Sequence, residues 1–164
     1  LLTQRRWSEK KNLKRFLLEA DLHRLAYWLR LLGQDALLLK GPIGKADIIK
    51  HPDRVFITTS RKLEPHFRAW GIEYLIIPKE DWKVQLCLLI RYFNIEPSLK
   101  LNRCYYCNTQ LVGVSREEVK DRIPPMVYLY GEDFTLCPQC GKVYWKGSHH
   151  PKLRRTLRRV LASC

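Results

Sequence analysis

The first two-thirds of the chain alternates short unbroken apolar runs with longer stretches whose apolar residues recur every three or four positions. Phe16-Leu17-Leu18, entered from Lys14-Arg15, is too short for a helix and reads as a buried strand. Leu22, Leu25, Ala26, Leu29 and Leu32 follow at helical spacing, and Gly33 stands where a helix end favours a left-handed residue. Asp35 to Leu39 reads as a second strand. A turn through Gly41-Pro42 and Gly44 leads to a short helix from Ala46 to Lys50, closed by His51-Pro52. The β-branched run Val55 to Thr59 predicts a third strand. Lys62 to Trp70 is helical and stops at Gly71. Ile72 to Ile77 is a fourth strand, stopped by Pro78. Asp81 to Phe93 is an amphipathic helix carrying Trp82, Gln85, Leu86, Leu89 and Ile90 on related faces. Strand then helix, four times over about 80 residues with short connections, predicts right-handed crossovers onto a parallel sheet: an α/β three-layer sandwich.

Past Glu96-Pro97-Ser98, which reads as a linker, the pattern changes. Cys104-Tyr-Tyr-Cys107 and Cys137-Pro-Gln-Cys140 are separated by 29 residues. Two residues between cysteines let both thiolates of a pair reach one ion from a tight turn. Two such pairs complete the closed four-sulfur sphere of structural zinc. Pro138 within the second pair and Gly141 after it suit such a turn. Two disulfides, or free core cysteines, are the alternatives. Between the pairs, Leu111 to Val114 reads as a strand, and Ser115-Arg116-Glu117-Glu118 matches a capping box ahead of a helical turn. Of the other cysteines, Cys87 lies in an apolar stretch and reads as a small core residue, while Cys164 carries no argument.

Charge sharpens the picture. The net charge is +14, but residues 17–133 hold only +2 of it. Residues 1–16 carry +5, and residues 134–164 carry +7 with no acid at all. A field concentrated at the two ends favours a polyanion, with nucleic acid first and an acidic membrane surface second. A solvated basic face without a partner is the plain alternative. Arg154, Arg155, Arg158 and Arg159 recur at helical spacing behind Pro151, so residues 151–164 form a helix with one cationic stripe, extended by Lys152. Guanidinium groups suit phosphate because they grip it bidentately. Lys146 and the N-terminal Arg5 and Arg6 join the same set. Tyr105 and Tyr106 protrude from the first cysteine turn, where aromatics beside cations can stack unpaired bases. They equally suit packing of the small module against the sheet, as does Trp145. His149 and His150 read as a helix entry, since four cysteines already fill the metal site. No apolar run approaches the roughly 20 residues that span a bilayer. No secretory signal is apparent, so reduced thiolates in an intracellular setting, cytoplasmic or nuclear, are expected. The chain starts at Leu1 and its one methionine is Met126, which fits a domain of a longer protein.

Catalytic groups in a parallel sheet gather beyond the carboxyl ends of the strands. Glu19 and Ser60 stand at such ends, Asp47 opens the second helix, and Asp21 and Asp81 lie at strand-to-helix junctions. Converging carboxylates there would hold Mg²⁺ or Mn²⁺ and activate a water against a phosphodiester. Acids at helix starts are also ordinary caps.

These residues resemble a known family. Arg15 to Glu19, then Leu22, Leu25 to Arg30 and Leu32 to Asp35, are similar to the opening of the mutator-seven C-terminal ribonuclease domain. Ile57 to Leu63 resembles its third-strand segment. Arg103-Cys104, Cys107-Asn108 and Leu111 resemble its first knuckle. Cys137-Pro138, Cys140-Gly141, Tyr144-Trp145 and Gly147-Ser148-His149 resemble its ending. The likeness covers about residues 15–150. It implies a PIN-like fold followed by a zinc ribbon, seen in free-standing prokaryotic proteins and at the C-terminus of mutator-seven and Nibbler-type 3′–5′ exoribonucleases of small-RNA pathways. The expected organisation is a basic arm over 1–13, a PIN-like α/β domain over 14–95, a zinc-ribbon module over 100–150 and a basic helix over 151–164.

The departures from the family shape the functional expectation. Glu19 and Ser60 stand where the family has aspartates, and the segment after Asp47 is shortened, so a family acid carries over to Asp47 only loosely. A longer side chain at Glu19 displaces a metal by about 1 Å, worth roughly a hundredfold in rate. Ser60 removes a charge outright. The expectation is therefore an RNA-binding accessory domain of a 3′–5′ exoribonuclease with a degenerate nuclease centre. It would hold single-stranded or small RNA mainly through phosphates and work beside a protein partner in a silencing complex. An active Mg²⁺ or Mn²⁺-dependent ribonuclease using Glu19, Asp47 and Asp81 is the first alternative, and a protein-docking domain the second.

Overall fold

The computed structural model describes residues 14–147 and 149–164; the basic arm assigned to 1–13, with Arg5 and Arg6, lies outside the described residues. Strand β1 (Arg15–Leu18) leads through a single 3₁₀ turn (Ala20–Leu22) into helix α1 (His23–Leu31). Then come β2 (Asp35–Leu38), α2 (Lys45–Lys50), β3 (Val55–Thr58), α3 (Glu64–Ala69), β4 (Tyr74–Ile76) and α4 (Trp82–Phe93). All four strands are parallel, in the order β2-β1-β3-β4.

The apolar runs are continuous because helices cover both faces of the sheet. Phe16, Leu18, Val55 and Ile57 share one core with Leu25 and Leu29 of α1 and Leu86 and Leu89 of α4. The alternate residues Leu17 and Phe56 form a second core with Ile48 of α2 and Phe67 of α3. One strand therefore feeds two cores with period two. Each fully buried Leu or Phe contributes roughly 1.5–3 kcal/mol.

Gly33 ends α1 as its position predicts, with φ of +80°. It has a second reason to be glycine: a Cβ there would lie 2.9 Å from Lys100 Cγ. The returning linker is sewn to this helix end by Lys100 N–H donating to the Leu31 carbonyl at 3.0 Å.

The C-terminal part adds a three-stranded antiparallel sheet, ordered β5 (Val112–Gly113), β6 (Glu132–Leu136), β7 (Val143–Lys146). Between β5 and β6 lie a 3₁₀ helix (Glu117–Arg122) and helix α5 (Pro125–Tyr130). The capping box is present, with Ser115 N–H donating to Glu118 Oε2 and Glu118 N–H to Ser115 Oγ. A small core of Val119, Ile123, Phe134 and Val143 holds this module together.

Helix α6 (His149–Ala162) begins two residues before the expected start. Pro151 thus sits in the first turn, where its missing N–H costs no helical bond. The helix folds back onto the α/β core, burying Leu157 and Val160 with Leu153 and Leu161 beside them. Its contact with α4 corrects the reading of Cys87 as a core thiol and of Cys164 as uninformative. Packing brings their Cα atoms to 5.6 Å, within bridging reach, and the sulfurs are bonded. No helix among the described residues is long and apolar enough to cross a membrane.

Candidate metal centre and nucleic-acid interface

The two cysteine turns are built alike. The amide of Cys107 donates to Cys104 Sγ at 3.4 Å, and that of Cys140 to Cys137 Sγ at 3.5 Å. The next residue closes each turn: Asn108 N–H donates to the Cys104 carbonyl at 2.8 Å, and Gly141 N–H to that of Cys137 at 2.9 Å. Both are left-handed, with φ of +65° and +76°. Glycine takes this conformation freely, and asparagine is among the residues that tolerate it best. Asn108 is therefore the counterpart of Gly141, a pairing the sequence reading missed.

The four sulfurs of Cys104, Cys107, Cys137 and Cys140 lie within 4.8 Å of one another, none bonded to another. A tetrahedral zinc with bonds of about 2.3 Å would place its sulfurs about 3.8 Å apart; Cys104 and Cys140 are at 3.9 Å. Donor set and spacing fit zinc. Burial opposes ionisation of Cys104, yet hydrogen bonds from the Tyr144 hydroxyl and the Cys107 amide bring its thiol down to about 7. Burial, then the neighbouring Cys140 and Cys104, pushes Cys107 up to about 12. So crowded a set of thiols can ionise together only around a cation.

The first turn is clamped to the α/β core. Arg30 on α1 is 6% exposed. Its guanidinium donates to the carbonyls of Ala36 (2.9 Å), Tyr105 (2.8 Å) and Tyr106 (3.2 Å). Asn108 accepts from the Ala36 amide at 2.9 Å and donates to Asp35 at 2.7 Å. Asp35 also pairs with Arg54 at 2.7 Å. Burial works against the Asp35 carboxylate, but the bonds from Arg54 and Asn108 outweigh it and hold its pKa below the ordinary value.

The strand ends are arranged differently. The chain runs from β1 to β2 on one side and returns to β3 on the other, so the topological switch lies between β1 and β3. Glu19, following β1, accepts a hydrogen bond from the Thr58 hydroxyl at the end of β3. Ser60 Oγ accepts from the Lys62 amide at 3.2 Å. Asp47 accepts from Gly44 N–H at 2.8 Å, closing the start of α2. Asp81 accepts from Lys83 N–H at 2.9 Å as the cap of α4. Among the described residues, the four cysteines are the only group of three or more His, Cys, Asp or Glu side chains placed to share an ion. A cleft of about 340 Å³ opens beside these strand ends, lined by Asp21, His23, Arg24, Lys79, Trp82 and Gln85 among others.

On α6, Arg154, Arg155, Arg158, Arg159 and Lys152 are exposed, as is Lys146 at the end of β7. None of them makes an ion pair among the described residues. The two tyrosines of the first turn differ. Tyr105 packs against Tyr27 of α1 (ring centroids 5.0 Å) and Tyr144 (5.1 Å), whereas Tyr106 is 65% exposed. Lys142, not singled out from the sequence, places its ammonium over the rings of Tyr106, Tyr105 and Tyr144 at 4.1, 5.1 and 5.7 Å.

A parallel three-layer α/β domain that carries a four-cysteine ribbon defines the class: an α/β protein with an appended zinc-ribbon module. The family model described as the Mut7-C RNAse domain matches residues 14–157, and the chain belongs to that family. Membership supports a nuclease-related or RNA-binding role and agrees with the resemblance read from the sequence. No curated protein and no solved structure gives a significant match.

Proposed function

We propose that this chain is an RNA-binding accessory domain of a 3′–5′ exoribonuclease in small-RNA processing, with a degenerate nuclease centre of its own. The observation that carries the reading is the arginine face of α6. The helix is seated by Leu157 and Val160, so Arg154, Arg155, Arg158 and Arg159 are presented outward with no carboxylate paired to them among the described residues. Phosphates of RNA are the natural counter-charges. The strand ends support the degenerate part. Glu19 engages Thr58, Ser60 brings no charge, and the carboxylates of Asp47 and Asp81 are engaged by helix-start amides. The resemblance to domains at the C-terminus of 3′–5′ exoribonucleases is the ground for the accessory role and the silencing partner in this reading. Zinc is structural in this reading, and no divalent metal acts at the strand ends.

Fluorescence anisotropy with a single-stranded RNA, together with a cleavage assay of the same RNA in Mn²⁺, tests it. Four phosphate contacts predict a log–log salt slope near −2.8, about a twentyfold loss of affinity for a threefold rise in salt. Binding without cleavage is expected. Cleavage that disappears in Glu19→Ala would establish the active-nuclease alternative. Absence of binding at low salt would sink the RNA reading and leave a protein-docking role.

A further inference from the structure

We infer that Tyr106 and Lys142 form a binding site for an unpaired nucleotide, assembled across the two cysteine turns, which gives the domain a preference for single strands. The inference rests on the RNA-binding reading and adds to it a second contact surface with a different selectivity.

The argument starts from an imbalance within one turn. Tyr105 and Tyr106 are neighbours in sequence, yet only Tyr105 is used to build the fold, through Tyr27 and Tyr144. Tyr106 contributes its carbonyl to Arg30, and its ring leans on that of Tyr105 (centroids 4.8 Å) yet stays 65% exposed. The backbone under that ring is held by the Arg30 guanidinium and by the Cys104–Asn108 turn bond, so the ring is carried on a fixed base. A rigid, exposed aromatic loses little conformational freedom when a flat partner lands on it.

Lys142 supplies the second half. It follows the second cysteine turn, yet its ammonium lies 4.1 Å from the Tyr106 ring centre. It makes no ion pair among the described residues. Arg122 adds a further cation nearby, donating to the Gly141 carbonyl at 3.3 Å. Cation–ring attraction accounts for the position of Lys142 and leaves its ammonium without a carboxylate partner among the described residues. An aromatic ring that is 65% exposed, with an ammonium over one face, matches a nucleotide: the base stacks on the exposed ring surface and the adjoining phosphate meets the cation. The match is to unpaired nucleotides because a duplex keeps its base faces stacked on one another, offering such a ring only its ends. The arginine stripe of α6 makes no such distinction, since phosphates are present in either form.

The test uses the full chain loaded with zinc, with metal content and far-ultraviolet circular dichroism recorded for each variant. Anisotropy is measured for wild type, Tyr106→Ala, Tyr106→Trp and Lys142→Gln, each with a single-stranded RNA and a blunt duplex of equal length. Tyr106→Ala is expected to weaken single-strand binding by at least about fivefold, the low end for losing one stacked base, and to leave duplex binding unchanged. Tyr106→Trp should keep the single-strand affinity. Lys142→Gln should weaken single-strand binding and make its salt slope shallower by about 0.7. A 2-aminopurine probe in the RNA should be quenched on binding to wild type, and less so with Tyr106→Ala. The site is overturned if Tyr106→Ala leaves single-strand affinity intact or lowers both affinities equally, even where Arg155→Ala weakens binding. Wild type that binds neither RNA would overturn both this site and the RNA reading.

Discussion

Arg30→Met tests whether the cysteine ribbon and the α/β core are one mechanical unit. Methionine keeps the apolar stem along α1 but removes three hydrogen bonds. The Ala36 carbonyl lies on a fully buried residue, and leaving it unpaired costs about 1–3 kcal/mol. The carbonyls of Tyr105 and Tyr106 are nearer to solvent and recover part of their bonding from water, adding about 1 kcal/mol together. Removing a buried charge returns some desolvation energy, so the net expectation is about 2–4 kcal/mol. For a chain of this size that lowers the melting temperature by roughly 5–15 °C. Urea unfolding followed by tryptophan fluorescence reads the stability, and transfer of zinc to a chromophoric chelator reads the ribbon. Both should move, with zinc affinity falling by about tenfold, as when supports behind metal ligands are removed. A variant within about 0.5 kcal/mol of wild type would refute the stabilising role of the clamp. Lost stability with unchanged zinc transfer would refute the coupling.

Removing zinc with a strong chelator should abolish hydrogen-exchange protection of residues 104–146, because a module this small depends on its ion; retained protection would mean that the cysteines are not its structural centre. Asp35 should contribute to acid unfolding. Its folded pKa is depressed, so its stabilisation is complete above the unfolded carboxylate value near 3.9 and is lost as pH falls through the lower folded value. The urea midpoint of wild type should therefore fall below about pH 4, and Asp35→Asn should be less stable at neutral pH with a flatter acid limb. Equal acid slopes in the two proteins would count against this role.

The α/β order was legible because its signal is redundant. Each strand is an apolar run, each helix carries a 3.6-residue pattern, and Gly33, Gly71 and Pro78 punctuate them. The cysteine site was legible because ligand spacing is itself geometry. The module between the cysteine pairs was less so. Strand β6 opens with Glu132-Asp133, poor strand formers, and its register with β7 is irregular between Glu132 and Thr135. Helix α5 starts at Pro125, inside a Pro124-Pro125 pair that reads as a break, although proline at a helix start is compatible with helix. Residues whose partners are remote were invisible. Arg30 is a polar residue within an apolar helix face until the carbonyls of Tyr105 and Tyr106, 75 and 76 positions away, are placed over it. Lys142 acquires meaning only beside Tyr106, and Cys164 only beside Cys87.

Among the described residues four arginines pair with carboxylates, whereas those of α6, like Arg24 on α1 and Arg91 on α4, do not. Arg61 precedes helix α3 and Arg68 lies on it, so that Glu64 stands three residues after one and four before the other, and both pair with it. Arg54 is likewise matched by Asp35, and Arg15 by Asp53. Residues 134–164 hold no acid, so nothing on α6 or β7 can play that part locally. A helix with four arginines and no acid is electrostatically unfavourable on its own; it is held here by contact with α4, by Leu157 and Val160 in the shared core, and by the Cys87–Cys164 bond. Packing energy is thus spent to hold unneutralised cations at a fixed surface. Tyr105 of the first cysteine turn docks on that same helical layer through Tyr27. The cationic helix and the cysteine turn bearing Tyr106 are therefore mounted on one layer of the sandwich, whereas the opposite layer carries the paired arginines of α3. This asymmetry is a physical reason to expect RNA on the α1–α4–α6 side, and it follows from where the carboxylates were left out of the sequence.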